Sequence, residues 1–116
     1  MSYQFSEFSR KNLETCHPDL QVLFNEVIKH IDCRIMCGHR GREAQNAAYP
    51  KYSKVQYPNS RHNTYPSMAV DVVPYPELYS DTEKMYYLGG FVLAMAIKLK
   101  EKGKILHDVR FGALGS

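Results

Sequence analysis

The chain has 116 residues, 44% apolar and 23% charged, with a net charge of +3. That fits one globular domain, 1–116, large enough to bury roughly two-thirds of its unfolded surface without staples. No apolar run approaches the ~18 residues of a membrane span, and the charge is too small to argue for nucleic acid, since the basic residues form no stripe interleaved with the tyrosines.

Residues 7–13 are compatible with a short helix. His17-Pro18-Asp19 reads as a helix start, because proline is tolerated at the first helical position and an acidic residue suits the positive end of the helix dipole. Leu20, Leu23, Phe24, Val27, Ile28 and Ile31 then follow helical spacing, which predicts an amphipathic helix over 18–31. Residues 33–37 read as a short strand broken by Gly38-His39-Arg40-Gly41, and Arg42 to Tyr49 as a helix limited by Pro50. The stretch 50–66, with Pro50, Pro58 and Pro66, is a long loop of the kind that carries function in compact domains. Met68 to Val73 reads as a strand ended by Pro74-Tyr75-Pro76. Asp81 or Thr82 caps a helix over 82–102, with Met85, Leu88, Val92, Ala96 and Leu99 as its apolar stripe and Gly103 as its terminator. Residues 105–111 form a last predicted strand. Few, short strands among helices favour a compact α+β domain over a doubly wound sheet.

The three cysteines, Cys16, Cys33 and Cys37, form an odd set without a secretory signal, which argues for reduced thiols. Cys33-x3-Cys37-x-His39 lacks the second pair that a structural zinc site would need. Cys33, Ile35 and Cys37 instead alternate like one buried strand face.

The informative segment runs from Ser60 to Asp71. His62 leaves the loop, and Asp71 then stands inside an apolar strand, where aspartate is depleted and an unpaired carboxylate is costly. Two readings follow from the spacing alone. His62 and Asp71 supply a nitrogen and an oxygen to a catalytic zinc site, which takes three protein ligands and one open position; or Asp71 pairs with an arginine and His62 is an ordinary loop histidine.

The segment Ser60-Arg61-His62-Asn63 through Pro66-Ser67, Ala69 and Asp71 resembles the S-x-H…A-x-D signature of the zinc D-alanyl-D-alanine carboxypeptidases and the phage L-alanyl-D-glutamate endolysins. Val73-Pro74-Tyr75-Pro76 continues the phage-type version. Phe5-Ser6 to Leu13 and His17-Pro18-Asp19-Leu20 are similar to the family's opening. Gly38-His39-Arg40 to Gln45-Asn46 is similar to its G-x-R…Q segment, and Val109-Arg110-Phe111-Gly112 to its V-R-W-G strand, so the likeness spans nearly the whole chain. The resemblance implies a small antiparallel sheet backed by helices, of the hedgehog and D-Ala-D-Ala-peptidase type. It implies zinc held by His62 and Asp71, and a peptidoglycan stem peptide as substrate. It also implies that Arg40 stabilises the developing oxyanion, against its alternative as a structural ion-pair partner. Gln45 and Ser60 orient the site or touch substrate, against helix solvation and a local cap. The absence of a secretory signal implies synthesis in the cytoplasm and phage-type release to the cell wall by a separate route.

The family's third ligand, a histidine, and its general acid/base carboxylate both follow the V-R-W-G strand, and this chain has no D-x-x-H or E-x-x-H after Gly112. The nearby substitutes are His107 and Asp108, which precede that strand and, as neighbours on an extended segment, point to opposite faces. A truncated peptidase, a non-catalytic wall-binding relative, and a site completed by another histidine of this or a partner chain all remain open. An interaction module in which Asp71 pairs with Arg40 does too.

Overall fold

The computed structural model describes residues 3–76 and 81–110. Its described elements are α1 (Glu7–Glu14), α2 (Pro18–Val27), β1 (Cys33–Cys37), α3 (Arg42–Ala48), a single 3-10 turn (Arg61–Asn63), β2 (Asp71–Pro74) and α4 (Thr82–Glu101). The chain is thus a small α+β domain, with four helices and a two-stranded antiparallel sheet among the described residues. None of these helices is long and apolar enough to cross a membrane.

Helix starts follow the local chemistry. Ser6 caps α1 by accepting the Ser9 amide at 3.2 Å, Asp81 caps α4 by accepting the Lys84 amide at 3.1 Å, and Pro18 opens α2 behind His17. Gly103, at φ +73°, ends the turn after α4, where a residue without Cβ is favoured. The apolar stripes meet in one core: Leu23, Phe24 and Val27 of α2 pack with Leu88, Val92, Ala96 and Leu99 of α4, and with Leu13, Cys33, Ile35 and Ile105. Leu23, Val27 and Ile35 are fully buried, and burying each such side chain contributes about 1.5–3 kcal/mol. The outer edge of β1 is met by polar side chains of α1. Ser9 Oγ accepts the Ile35 amide at 3.0 Å and Asn12 Nδ2 donates to the Ile35 carbonyl at 2.9 Å, so that edge is closed without a third strand.

Two predicted boundaries shift and one predicted strand does not form, each for a physical reason. Helix α2 stops at Val27 rather than 31, because the Lys29 and His30 amides turn back to the Glu26 and Val27 carbonyls. The second strand begins at Asp71 rather than Met68. Ser67 Oγ both accepts the Ala69 amide at 3.2 Å and donates to the Ala69 carbonyl at 2.6 Å, a local turn that removes those groups from any ladder. Residues 105–110 form no strand. Ile105 drops into the core, and the Leu106 and His107 amides are given to the Asp19 carboxylate instead of a neighbouring strand. Phe111 and Gly112, part of that predicted strand and of the resemblance, lie outside the described residues.

The register is Cys33↔Pro74, Arg34↔Val73, Ile35↔Val72, then Cys37↔Asp71, with an irregularity between Ile35 and Cys37. Two steps along β1 therefore meet one step along β2, which is a bulge, and a bulge reverses the in-and-out alternation beyond it.

Candidate metal centre

The 3-10 turn that carries His62 is built by a capping box. Ser60 Oγ accepts the His62 amide at 3.2 Å, and Asn63 Oδ1 accepts the Ser60 amide at 3.0 Å. The turn is then tied to the segment after β1: the Arg40 amide donates to the His62 carbonyl at 2.7 Å, and Asn63 Nδ2 donates to the Arg40 carbonyl at 3.0 Å. Beneath it lies Gln45, fully buried. Its Nε2 donates to Ser53 Oγ at 2.8 Å and to the Val55 carbonyl at 2.7 Å, while its Oε1 accepts Asn63 Nδ2 at 3.2 Å. A buried amide with both ends satisfied fixes its surroundings, so Gln45 couples the 50–60 loop to the His62 turn. Ser60 is 3% exposed. Of the two roles expected for Gln45 and Ser60, their placement supports the orienting one; neither faces outward to touch a substrate.

His62 is 3% exposed, and its Nδ1 lies 2.7 Å from the Gly38 carbonyl. A carbonyl only accepts, so Nδ1 carries a proton and Nε2 is the nitrogen left to face the site. Nε2 stands 3.6 Å from Asp71 Oδ1, and Arg40 Nη2 stands 3.9 Å from Asp71 Oδ2. The structure thus brings His62, Asp71 and Arg40 together. Gly38 has its own role here, because a Cβ at that position would overlap Thr15 Oγ1, the Asn12 carbonyl and Cys16 Sγ. Only glycine lets the chain pass this close to α1 and aim its carbonyl at His62.

The electrostatics follow from this packing. Burial acts to lower the His62 pKa, but the hydrogen-bonding partners Asp71, Cys37 and Gly38, together with the Asp71 charge, push it up to about 9. Burial likewise raises Asp71, yet the His62 ring and then the Arg40 charge hold its carboxyl below the usual value. In the metal-free state the two groups are therefore an imidazolium–carboxylate pair. Arg40 is 12% exposed on its side chain, and its Nε is buried with no hydrogen-bond partner, which leaves one strong donor unused.

The spacing of the pair is also that of two ligand atoms on one ion. Two ligand atoms about 2.0–2.1 Å from a tetrahedral ion lie about 3.4 Å apart, close to the 3.6 Å between His62 Nε2 and Asp71 Oδ1. The bond from Nδ1 to a backbone carbonyl is the outer-sphere partner that fixes the tautomer of a ligating histidine.

His107, weighed from sequence as a substitute third ligand, is committed elsewhere. Its Nδ1 donates to Asp19 Oδ2 at 2.7 Å, and the same oxygen accepts the Leu106 amide at 2.9 Å and the His107 amide at 3.0 Å. The His17 ring packs edge-on at 4.9 Å. His17, Asp19 and His107 form a group that could hold a metal ion, with donor atoms all within 4.8 Å of one another. As built, it is a clasp: His17 Nδ1 accepts the Asp19 amide at 3.0 Å, so that lone pair is already used in capping α2.

Sequence reasoning quoted Asn63 and Gly38 in the resembling segments without giving either a role, and set Cys37 on the buried strand face after weighing it as a metal ligand. Asn63 was detectable, three positions after Ser60, as a capping-box partner with asparagine in place of glutamate or glutamine. No local signal marks the role of Gly38, whose carbonyl acts on His62, distant in the chain. No protein-family model matches the chain, and no curated protein matches it.

Proposed function

We propose that this chain is a zinc-dependent peptidase domain acting on the stem peptide of peptidoglycan. The bond cut would be the L-alanyl–D-glutamate bond of the endolysins it resembles, or the D-alanyl terminus cut by the carboxypeptidases. The observation that carries the reading is the His62 ring, held through Nδ1 by the Gly38 carbonyl at 2.7 Å with Nε2 directed to Asp71. His62 and Asp71 would hold the ion. When bound, zinc supplies a water acidic enough to ionise near neutral pH and polarises a peptide carbonyl.

The protein's own contribution is positioning and charge. Asn63, Gln45 and Ser60 hold the His62 turn rigid, which ligand geometry requires. Arg40, fixed by its backbone bonds to His62 and Asn63 and with its guanidinium beside Asp71, suits the negative charge that develops on the substrate carbonyl oxygen. The proposed site of action is the cell wall, reached after synthesis in the cytoplasm.

A second reading, a wall-binding or interaction domain without catalysis, is favoured by one feature: with His62 protonated, the Asp71 carboxylate already has two cationic neighbours, His62 and Arg40, and needs no ion to offset its charge. Purified wall incubated with zinc-loaded protein separates the two. New amino termini, released by wild type and not by His62→Ala or Asp71→Ala, support the peptidase. Retention on the wall without new termini supports the binding domain.

A further inference from the structure

One peptide group joins His62 to α1. The Gly38 carbonyl, which accepts His62 Nδ1 at 2.7 Å, and the His39 amide belong to the same trans peptide. That amide donates to Thr15 Oγ1 at 2.9 Å, and the Thr15 hydroxyl gives its own proton to the Asn12 carbonyl at 2.7 Å. The bonds form one chain in which every donor meets an acceptor: His62 ring to Gly38 carbonyl, His39 amide to Thr15 hydroxyl, Thr15 hydroxyl to Asn12 carbonyl. All three donors point the same way along it, so each bond polarises the next. A trans peptide is planar, with its carbonyl and amide directed oppositely, so holding the amide also aims the carbonyl. Gly38 makes the approach possible, because a Cβ there would collide with Thr15 Oγ1. The far end of the chain is firmly anchored: Thr15 is the C-cap of α1, and α1 is tied to β1 through Ser9 and Asn12.

We propose that Thr15 is a positioning residue for His62. Its hydroxyl, acting through the Gly38–His39 peptide, aims the carbonyl that holds the ring and so fixes the direction of Nε2. The hydrogen-bond chain is a property of the metal-free protein; only its consequence for zinc rests on the metal reading above. A ligating histidine depends on the group that orients its other nitrogen, and Thr15 is the next link outward from that group. The hydroxyl is the part that acts, and it can be separated from the rest of the residue. Valine keeps the shape of threonine and lacks the hydroxyl, whereas serine keeps the hydroxyl and lacks the methyl group. The Thr15 amide donates to the Asn12 carbonyl at 3.2 Å, and the Thr15 carbonyl accepts the Ser67 amide at 2.8 Å. Both are backbone bonds that either substitution leaves in place. In Thr15→Val the His39 amide loses its acceptor, and as the peptide turns to find another, the Gly38 carbonyl turns with it.

Proton NMR of the metal-free protein near neutral pH tests this. The buried His62 Nδ1 proton should give a slowly exchanging low-field signal in wild type, assigned by its loss in His62→Ala. Thr15→Val, checked by circular dichroism for an unchanged fold, should move that signal upfield and quicken its exchange with solvent by about tenfold. Thr15→Ser should leave both as in wild type. Thr15→Ala takes the place of Thr15→Val, with the same expected results, if the valine variant does not fold. A zinc titration then reads the consequence: Thr15→Val should bind about tenfold more weakly, and Thr15→Ser as tightly as wild type. The positioning role is overturned by an unmoved signal in Thr15→Val, by an equal change in Thr15→Ser, or by unchanged affinity in a protein that does bind zinc through His62. A wild type that binds no zinc through His62, yet whose ring proton responds as expected, overturns the metal reading and leaves the hold of Thr15 on His62 standing.

Discussion

Replacing Asp71 with asparagine removes a negative charge from beside His62 and keeps the side-chain shape, so it isolates the electrostatics of the pair in metal-free protein. His62 is raised from 6.5 to about 9, a displacement worth about 3 kcal/mol in full. Asp71 is 45% exposed on its side chain, so solvent screening reduces the contribution to about 1–2 kcal/mol. The sign is fixed by linkage. A histidine whose folded pKa is raised stabilises the fold fully below the unfolded value of 6.5, and the contribution is lost as pH rises through about 9. Asp71, whose carboxyl is held below 3.8, stays ionised across that window. Asp71→Asn should therefore cost about 1–2 kcal/mol at about pH 5.5 and almost nothing at about pH 9.5. Urea unfolding at the two pH values reads the energy, and proton NMR of the His62 ring reads the pKa directly. An equal cost at both pH values, or a wild-type His62 titrating at or below 6.5, would refute the coupling.

Gln45→Leu strips partners from Ser53 Oγ, the Val55 carbonyl and Asn63 Nδ2 and should destabilise by about 2–4 kcal/mol in denaturant unfolding. Gly38→Ala, whose Cβ has no room against Thr15, Asn12 and Cys16, should cost about 3 kcal/mol or more, read by the thermal midpoint. It should also weaken metal binding by displacing the carbonyl that holds His62. Asp19→Ala releases the Leu106 and His107 amides. Their hydrogen exchange should quicken, with about 1 kcal/mol of stability lost at neutral pH. In wild type that contribution is present above pH 3.8 and fades as pH falls through the lowered Asp19 pKa. Burial raises that pKa, but the His107 side chain and the two amides outweigh it.

The helices were legible because their signals are local: the stripe of α4, Pro18 behind His17, Asp81 and Gly103 each act within a turn or two. The pairing of His62 with Asp71 was legible from an aspartate placed where an apolar strand would reject it, and Arg40 was legible beside them. What escaped depends on contacts across the fold. The bulge that moves Cys37 to the Asp71 face is set by how β1 meets β2, not by the alternating pattern of Cys33, Ile35 and Cys37. Ser67 turns back on Ala69 and delays β2, an outcome the β-branched run after it did not announce. The segment 105–110 reads as a strand by composition, yet a carboxylate far away in sequence, Asp19, takes its amides.

A zinc titration of metal-free protein near neutral pH, followed by calorimetry and repeated with His62→Ala and Asp71→Ala, tests the metal centre most directly. One ion bound tightly in wild type and lost in both variants is the expected result. Weak or absent binding, or binding that survives both substitutions, would leave His62, Asp71 and Arg40 as a charge cluster and contradict the peptidase reading.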